Sequence, residues 1–348
     1  MSMPEFRIAG RPIGYHHEPL VIAEIGINHG GRLDVACAMA DAAAAAGAEI
    51  IKHQTHVIED EMTEDAKSII PGNTDVSIWE VMETNRLTLE EEAKFKAHVE
   101  GLGMIYLSTP FSRAAADWLQ EQDVPAFKIG SGEIDNLPLI RHVAGFGKPM
   151  ILSTGMQDVE GVRAAVEIVR AAGTPFALLH CVNLYPTPPE LLRLGAIAEL
   201  QSAFPDAVIG YSDHSLNNVP CHGALALGAA IIERHFTDSR TRPGPDILCS
   251  MEPQELRELI ASAHVLRLAR GGRKGRAAEE EVTYRFARAS VVTIAPVAAG
   301  DVFDERNLWV RRPGTGEIAA RDFDAVLGKR AARDVAPGKQ LAWADVAS

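Results

Sequence analysis

Apolar residues in this chain fall into short runs separated by longer amphipathic stretches, and the two alternate along most of its length. The runs read as buried strands: Pro19–Ile25, Glu49–Gln54, Met104–Ser108, Ala126–Ile129, Pro149–Ser153, Phe176–Val182, Ala207–Tyr211 and Ile231–His235. Four to seven apolar residues bounded by turn formers suit strands covered on both faces. The stretches between them read as helices: Leu33–Ala46, Thr88–Leu102, Ser112–Gln122, Asn136–Gly145, Val159–Ala172, Gly195–Phe204, Val219–Leu227 and Pro253–Ala269. About eight β/α units over roughly 270 residues match the size of a (β/α)8 TIM barrel. A doubly wound open sheet is the competing layout, but no glycine-rich dinucleotide turn follows the first strand.

Polar residues gather where these strands end. The first delivers Glu24, then Asn28 and His29; the second Lys52 and Gln54; the third Ser108 and Thr109. The fourth carries Lys128, then Ser131 and Glu133; the fifth ends at Ser153 and Thr154; the sixth leads to Asn183 and Tyr185. The seventh gives Ser212, Asp213 and His214, the eighth His235. In a barrel these ends share one mouth, the face that carries catalytic groups in this fold. A polar set on every strand is hard to explain as packing, because buried polar groups need partners.

Lys52 and Lys128 interrupt apolar strands. Three readings stay open for them: pairing with a nearby glutamate, a cationic floor for an anionic substrate, or, for Lys128, a Schiff-base nucleophile. His214 and His235 end successive strands and read as half of a divalent-metal site with open positions. Taken singly, each more readily caps its strand by bonding a loop carbonyl, and the polar set on the other strands shifts the balance. His29, His53, His56, His180 and His222 are expected to be structural.

The insert Thr55–Leu87 has the length of a lid or binding loop. The proline-stiffened loop Arg242–Asp246 aims Asp246 inward. After Ala269, a run of glycine, arginine and lysine followed by Glu279–Glu281 marks a composition shift. The expected division is a barrel over 1–272, a linker over 273–285 and a small β-rich domain over 286–348. In that last part Val297-Ala-Ala-Gly-Asp-Val302 is echoed by Val335-Ala-Pro-Gly-Lys-Gln-Leu341, which predicts pseudo-symmetry.

The 348 residues carry a formal net charge of −13. That argues against nucleic acid or an anionic membrane as the main partner, so an anion must be held by a local cluster. The four cysteines form no CxxC pair, Met1–Arg11 has no apolar signal region, and Ala36–Ala46 is too short to span a bilayer. A cytoplasmic location is expected.

Ten segments, in order, carry a resemblance. They are Ala23–Gly30, Ile51–Thr55, Leu107–Phe111, Phe127–Glu133, Leu152–Gly155, His180–Thr187, Gly210–His214, Glu233–Thr237, Arg242–Asp246 and Trp309–Gly314. Together they resemble the bacterial N-acetylneuraminate (sialic acid) synthase family over nearly the whole chain. The resemblance implies a TIM barrel followed by an antifreeze-like (SAF) domain, in a domain-swapped homodimer. It implies condensation of phosphoenolpyruvate with N-acetylmannosamine, using Mn2+ or else Mg2+ or Co2+. Legionaminic or pseudaminic acid synthases, and a non-catalytic sugar-binding protein, are the alternatives. By the same resemblance, phosphoenolpyruvate falls to Lys52, Thr109, Lys128, Ser131, Ser153, Asn183 and Ser212. His214 and His235 become metal ligands, with Glu24 as acid/base or water-orienting group. Gln54, Asn73, Glu133, Tyr185 and Asp246 fall around the sugar, with Phe286 and Arg312 supplied by the partner's small domain.

Overall fold

The structure, a computed structural model, describes residues 3–72 and 74–347. The chain divides into two compact units, residues 1–271 and 272–348. The first opens with a hairpin that the sequence reading did not foresee, β1 (Glu5–Ile8) paired antiparallel with β2 (Arg11–Gly14). Eight parallel strands follow: β3 (Leu20–Gly26), β4 (Ile50–Thr55), β5 (Ile105–Pro110), β6 (Phe127–Ile129), β7 (Met150–Ser153), β8 (Phe176–Cys181), β9 (Val208–Asp213) and β10 (Ile231–His235). They order as β5-β4-β3-β10-β9-β8-β7-β6. β5 and β6 lie beside each other without a ladder among the described residues, so the sheet is a nearly closed (β/α)8 barrel.

Helices cover its outside with the expected boundaries to within a residue, including Leu33–Ala46 and Pro253–Ala269. Their starts are written in the sequence. Thr88 and Glu91 form a reciprocal capping box, and Asp158 accepts from the Gly161 amide at 2.8 Å. The insert after β4 holds two short helices, Ile58–Glu61 and Ile78–Asn85.

Strand alternation sorts the core into two shells. Outward residues such as Ala23, Ile51, Phe127, Leu152 and Ile232 pack under the helices. Inward residues at the strand starts, including Leu20, Ile22, Ile50, Ile151, Ala177 and Ile231, form a separate inner cluster. Phe6, Ile8 and Ile13 of the hairpin belong to that cluster and plug the lower end. The interior is tight. A Cβ at Gly210 would stand 2.6 Å from the Ile231 carbonyl oxygen, so only glycine fits there.

The second unit includes the short helix Glu281–Ala287, which overlaps the expected linker over 273–285, and pairs β11 (Ser290–Thr293) with β12 (Leu308–Arg311). The sequence echo has a structural counterpart. Val297 and Val335 exchange both backbone hydrogen bonds, at 3.0 and 2.8 Å, and Gly300 and Gly338 both take positive φ. Its small core includes Val291, Phe303, Leu308, Ile318 and Val326. Among the described residues no helix is long and apolar enough to cross a membrane.

Candidate active site at the barrel mouth

Along each strand the inward positions turn from apolar to polar on approaching the C-terminal end. Leu20 and Ile22 give way to Glu24, Ile50 to Lys52 and Gln54, Leu107 to Thr109, and Ile231 to Glu233 and His235. The polar ends line one cavity of about 120 Å3. Its walls include Glu24, Lys52, Gln54, Thr109, Lys128, Ser131, Ser153, Asn183, Tyr185, Ser212, His214 and His235. Thus all the phosphoenolpyruvate positions, both histidines and two of the sugar positions meet in one place.

Two lysines form its floor, nearly without solvent exposure. Lys52 Nζ stands 2.6 Å from Glu24 Oε2 and 3.8 Å from Glu233 Oε2, and donates to Thr109 Oγ1 at 3.0 Å. Lys128 Nζ stands 3.6 Å from Glu233 Oε1 and donates to Ser153 Oγ at 2.7 Å. Ser212 Oγ donates to the same Glu233 oxygen at 3.0 Å. Both lysines are therefore paired with glutamate, the first of the sequence readings, and both also line the cavity. Burial opposes charge on Glu233, but Lys128 and Lys52 outweigh it and keep the carboxylate below its usual range. Burial also works against Lys52, and Glu233 and Glu24 reverse the effect, raising it. For Lys128 burial wins, reinforced by Lys52, and its proton affinity is lowered.

Beside the lysines, Gly155 lends a backbone amide that donates to Ser131 Oγ at 3.0 Å. A Cβ on Gly155 would collide with Asn183 and Ser131, so the close approach of these three requires glycine. Opposite, the His214 and His235 rings lie 5.5 Å apart, with Tyr185 4.1 Å from His214. His214 Nδ1 is 2.8 Å from the Val182 carbonyl oxygen, so this nitrogen carries a hydrogen and Nε2 remains free of that bond. His235 Nδ1 is buried without a hydrogen-bond partner, 3.9 Å from Asp246 Oδ2. Burial disfavours charge on both rings. In His235 it prevails and lowers the imidazole, while in His214 the neighbouring Cys181 sulfur and the Val182 carbonyl lift it to about 9.

Among the described residues no three His, Cys, Asp or Glu side chains converge as a ready-made metal cage. Two imidazoles, one held through its far nitrogen by a carbonyl, fit an ion that takes its remaining ligands from water or substrate. They do not fit a closed structural zinc site.

Other positions lie further out. Gln54 Nε2 donates to Glu24 Oε1 at 3.1 Å. Glu133 is half-buried, accepts from Asn136 Nδ2 at 2.6 Å, and is raised by burial. Asn73 lies outside the described residues. Phe286, 56% exposed, and Arg312, also exposed, belong to the second unit. The sequence reading gave no role to Glu233 or Cys181, both in the cavity wall. Each sits at an inward position, Glu233 two residues before His235, so strand period was the available signal. His29 and His53 bond each other at 3.0 Å on the outer side of β4, and His180 bonds the Leu192 carbonyl at 2.8 Å.

The mouth of this barrel thus brings two buried lysines, two glutamates and two histidines into one cavity. Residues 39–275 match the NeuB family model and residues 288–347 the SAF domain model. The chain belongs to the NeuB family, with a C-terminal SAF domain. It is 35% identical over 370 residues to the spore coat polysaccharide biosynthesis protein SpsE of Bacillus subtilis, covering 99% of this chain and 98% of that one. It is 34% identical to the N,N'-diacetyllegionaminic acid synthase of Campylobacter jejuni, covering 90% of this chain and 96% of that one. A crystal structure of the N-acetylneuraminic acid synthetase from Leptospira borgpetersenii, in complex with citrate, aligns with TM-score 0.74 and 33% identity over 81% of this chain and 96% of that one.

Proposed function

We propose that the protein is a nonulosonate synthase that condenses phosphoenolpyruvate with an N-acetylated amino sugar, N-acetylmannosamine first, and releases phosphate. The observation that carries this reading is the pair Lys52 and Lys128 around Glu233, facing His214 and His235 across one small cavity. The relatives named as sugar-acid synthases support the reaction class. Lys52, Lys128, Thr109, Ser131, Ser153, Asn183 and Ser212 hold the phosphate and carboxylate oxygens. Fixed ammonium and hydroxyl donors orient a polyanion and need little reorganisation as charge shifts. C3 of phosphoenolpyruvate attacks the sugar aldehyde carbon, water adds at C2, and phosphate leaves with C–O cleavage. Glu24, held by Lys52 and Gln54, orients that water or takes its proton on a carboxylate oxygen. His214 and His235 would hold a divalent ion, Mn2+ or else Mg2+ or Co2+, which would supply Lewis-acid polarisation of the aldehyde. Gln54, Asn73, Glu133, Tyr185 and Asp246 contact the sugar.

The test is phosphate release from phosphoenolpyruvate with a panel of N-acetylated hexoses and 2,4-diacetamido sugars. Release should require sugar, stop in excess EDTA and resume with Mn2+. A preference for a diacetamido sugar would move the assignment to a legionaminic or pseudaminic acid synthase, and sugar binding without release would leave a binding protein. The lowered proton affinity of Lys128 also suits a Schiff-base lysine. Full activity in EDTA with borohydride trapping of Lys128 would establish that chemistry instead.

We also propose a domain-swapped homodimer in which Phe286 and Arg312 act on the partner's barrel; the exposure of both side chains supports it. Mixing Arg312→Ala and Lys128→Met chains should then restore part of the activity, because one barrel per heterodimer is intact. Verified heterodimers that stay inactive would sink the arrangement.

A further inference from the structure

The two histidines follow strand ends that are tied to each other on the far side of the sheet. In the β9–β10 register Ser212 sits beside Glu233 and Asp213 beside Arg234. Side chains alternate, so the first pair points into the cavity, the second points away from it, and His214 and His235 point inward again. The outward pair is fully buried, and Arg234 heads the large side chains that solvent does not reach. Its Nε stands 3.2 Å from Asp213 Oδ2, Nη1 donates to Asn218 Oδ1 at 2.6 Å, and Nη2 donates to the Ser215 carbonyl at 2.9 Å. Asp213 in turn accepts from the Ser215 amide at 3.1 Å, the Ser215 hydroxyl at 2.8 Å and the Tyr211 hydroxyl at 2.8 Å. The residues before and after His214 are thus bound to the residue before His235.

We propose that Asp213 and Arg234 are positioning residues that hold His214 and His235 at one fixed separation for a divalent ion. The inference rests on the metal reading above and adds the device that sets the geometry. The planar guanidinium donates to two acceptors, Asn218 Oδ1 and the Ser215 carbonyl, while its Nε stands in ion-pair contact with Asp213 without a hydrogen bond, a spread that a compact ammonium does not match. Neither residue is within the cavity wall, so neither touches phosphoenolpyruvate or sugar. Their removal should loosen the histidine pair and leave the lysine floor, built from β3, β4, β6 and Glu233, in place.

The experiment is Mn2+ titration of metal-stripped, full-length protein followed by electron paramagnetic resonance, with phosphoenolpyruvate binding measured in parallel by calorimetry. Arg234→Lys and the charge-balanced pair Asp213→Asn with Arg234→Met should bind Mn2+ about 10- to 100-fold more weakly, the range seen when supports behind metal ligands are lost. Phosphoenolpyruvate affinity should hold. Unchanged Mn2+ affinity in a folded variant overturns the clamp, as does an equal loss of both ligands, which would mark general damage. If substitution at Arg234 prevents folding, Asn218→Ala removes one bond of the fork from a half-buried loop, and a loss of Mn2+ affinity without loss of phosphoenolpyruvate affinity is again expected. Absence of Mn2+ binding in the unaltered protein overturns the metal reading itself and this inference with it.

Discussion

The two ends of the barrel are made from the same eight strands and do opposite things. At the lower end inward residues are apolar and interlock with Phe6, Ile8 and Ile13 of the hairpin. At the mouth, two or four residues further along, they are lysine, glutamate, serine and histidine. Burying charges at the mouth is costly, and the apolar end offsets that cost through a well-packed core. A residue's contribution to folding or to chemistry is thus set by its distance along the strand.

Substitutions at the two ends should separate the roles. Lys128→Met should lower kcat/KM for phosphoenolpyruvate by about 100-fold or more, the loss of roughly 3–5 kcal/mol expected when one partner of a buried charge contact is removed. Its thermal midpoint should fall by less than the kinetic loss corresponds to, because Glu233 keeps Lys52 as a buried counter-charge. Steady-state kinetics beside calorimetric melting checks both, and near-normal kinetics from a folded variant would remove Lys128 from the site. Ile8→Ala at the other end should do the reverse. Loss of a fully buried isoleucine costs about 2–4 kcal/mol of stability, visible in urea unfolding, while kcat/KM holds. A large kinetic defect there would mean that the hairpin reaches the mouth's geometry after all.

The smallest effect is a pH dependence. Lys128 has its proton affinity lowered by burial and by Lys52. Raising the pH through that lowered value removes a cation from the floor, so KM for phosphoenolpyruvate should rise at a pH below the ordinary lysine value of about 10.4. Stability has the opposite sign. The unfolded chain binds the proton more tightly, so this group penalises folding at lower pH and the penalty fades as pH rises through the same window. A pH-independent KM up to about pH 10 would mean that Lys128 keeps its charge throughout.

Much of this contrast was legible in the sequence. Strand ends stood out because polar residues close every one of the eight apolar runs, a set that packing explains poorly. Lys52, Lys128, His214 and His235 were found that way, and the helices between the runs were placed to within a residue. Glu233 escaped because, inside Ile231–His235, it reads as one charge in a strand. Its contact with both lysines depends on strands that are distant in sequence. The hairpin escaped for a different reason. Phe6, Ile8 and Ile13 alternate correctly, but such a short segment acquires its role only when a barrel lies above it. The clamp of Asp213 and Arg234 needs the β9–β10 register, which neither strand specifies alone.

The lysine floor carries one more consequence. Lys52 and Lys128 are balanced by Glu24 and Glu233, so the four side chains sum to zero, within a chain whose net charge is −13. Such a pocket is no general trap for anions. A chloride or a lone phosphate meets ammonium groups already engaged, on a protein that repels it from afar. Entry becomes a trade of partners, open to a ligand with enough oxygens, rigidly spaced, to replace what the glutamates give up. On the proposed function, selectivity against the common anions of the cell would be a property of the floor itself, set before the second substrate arrives.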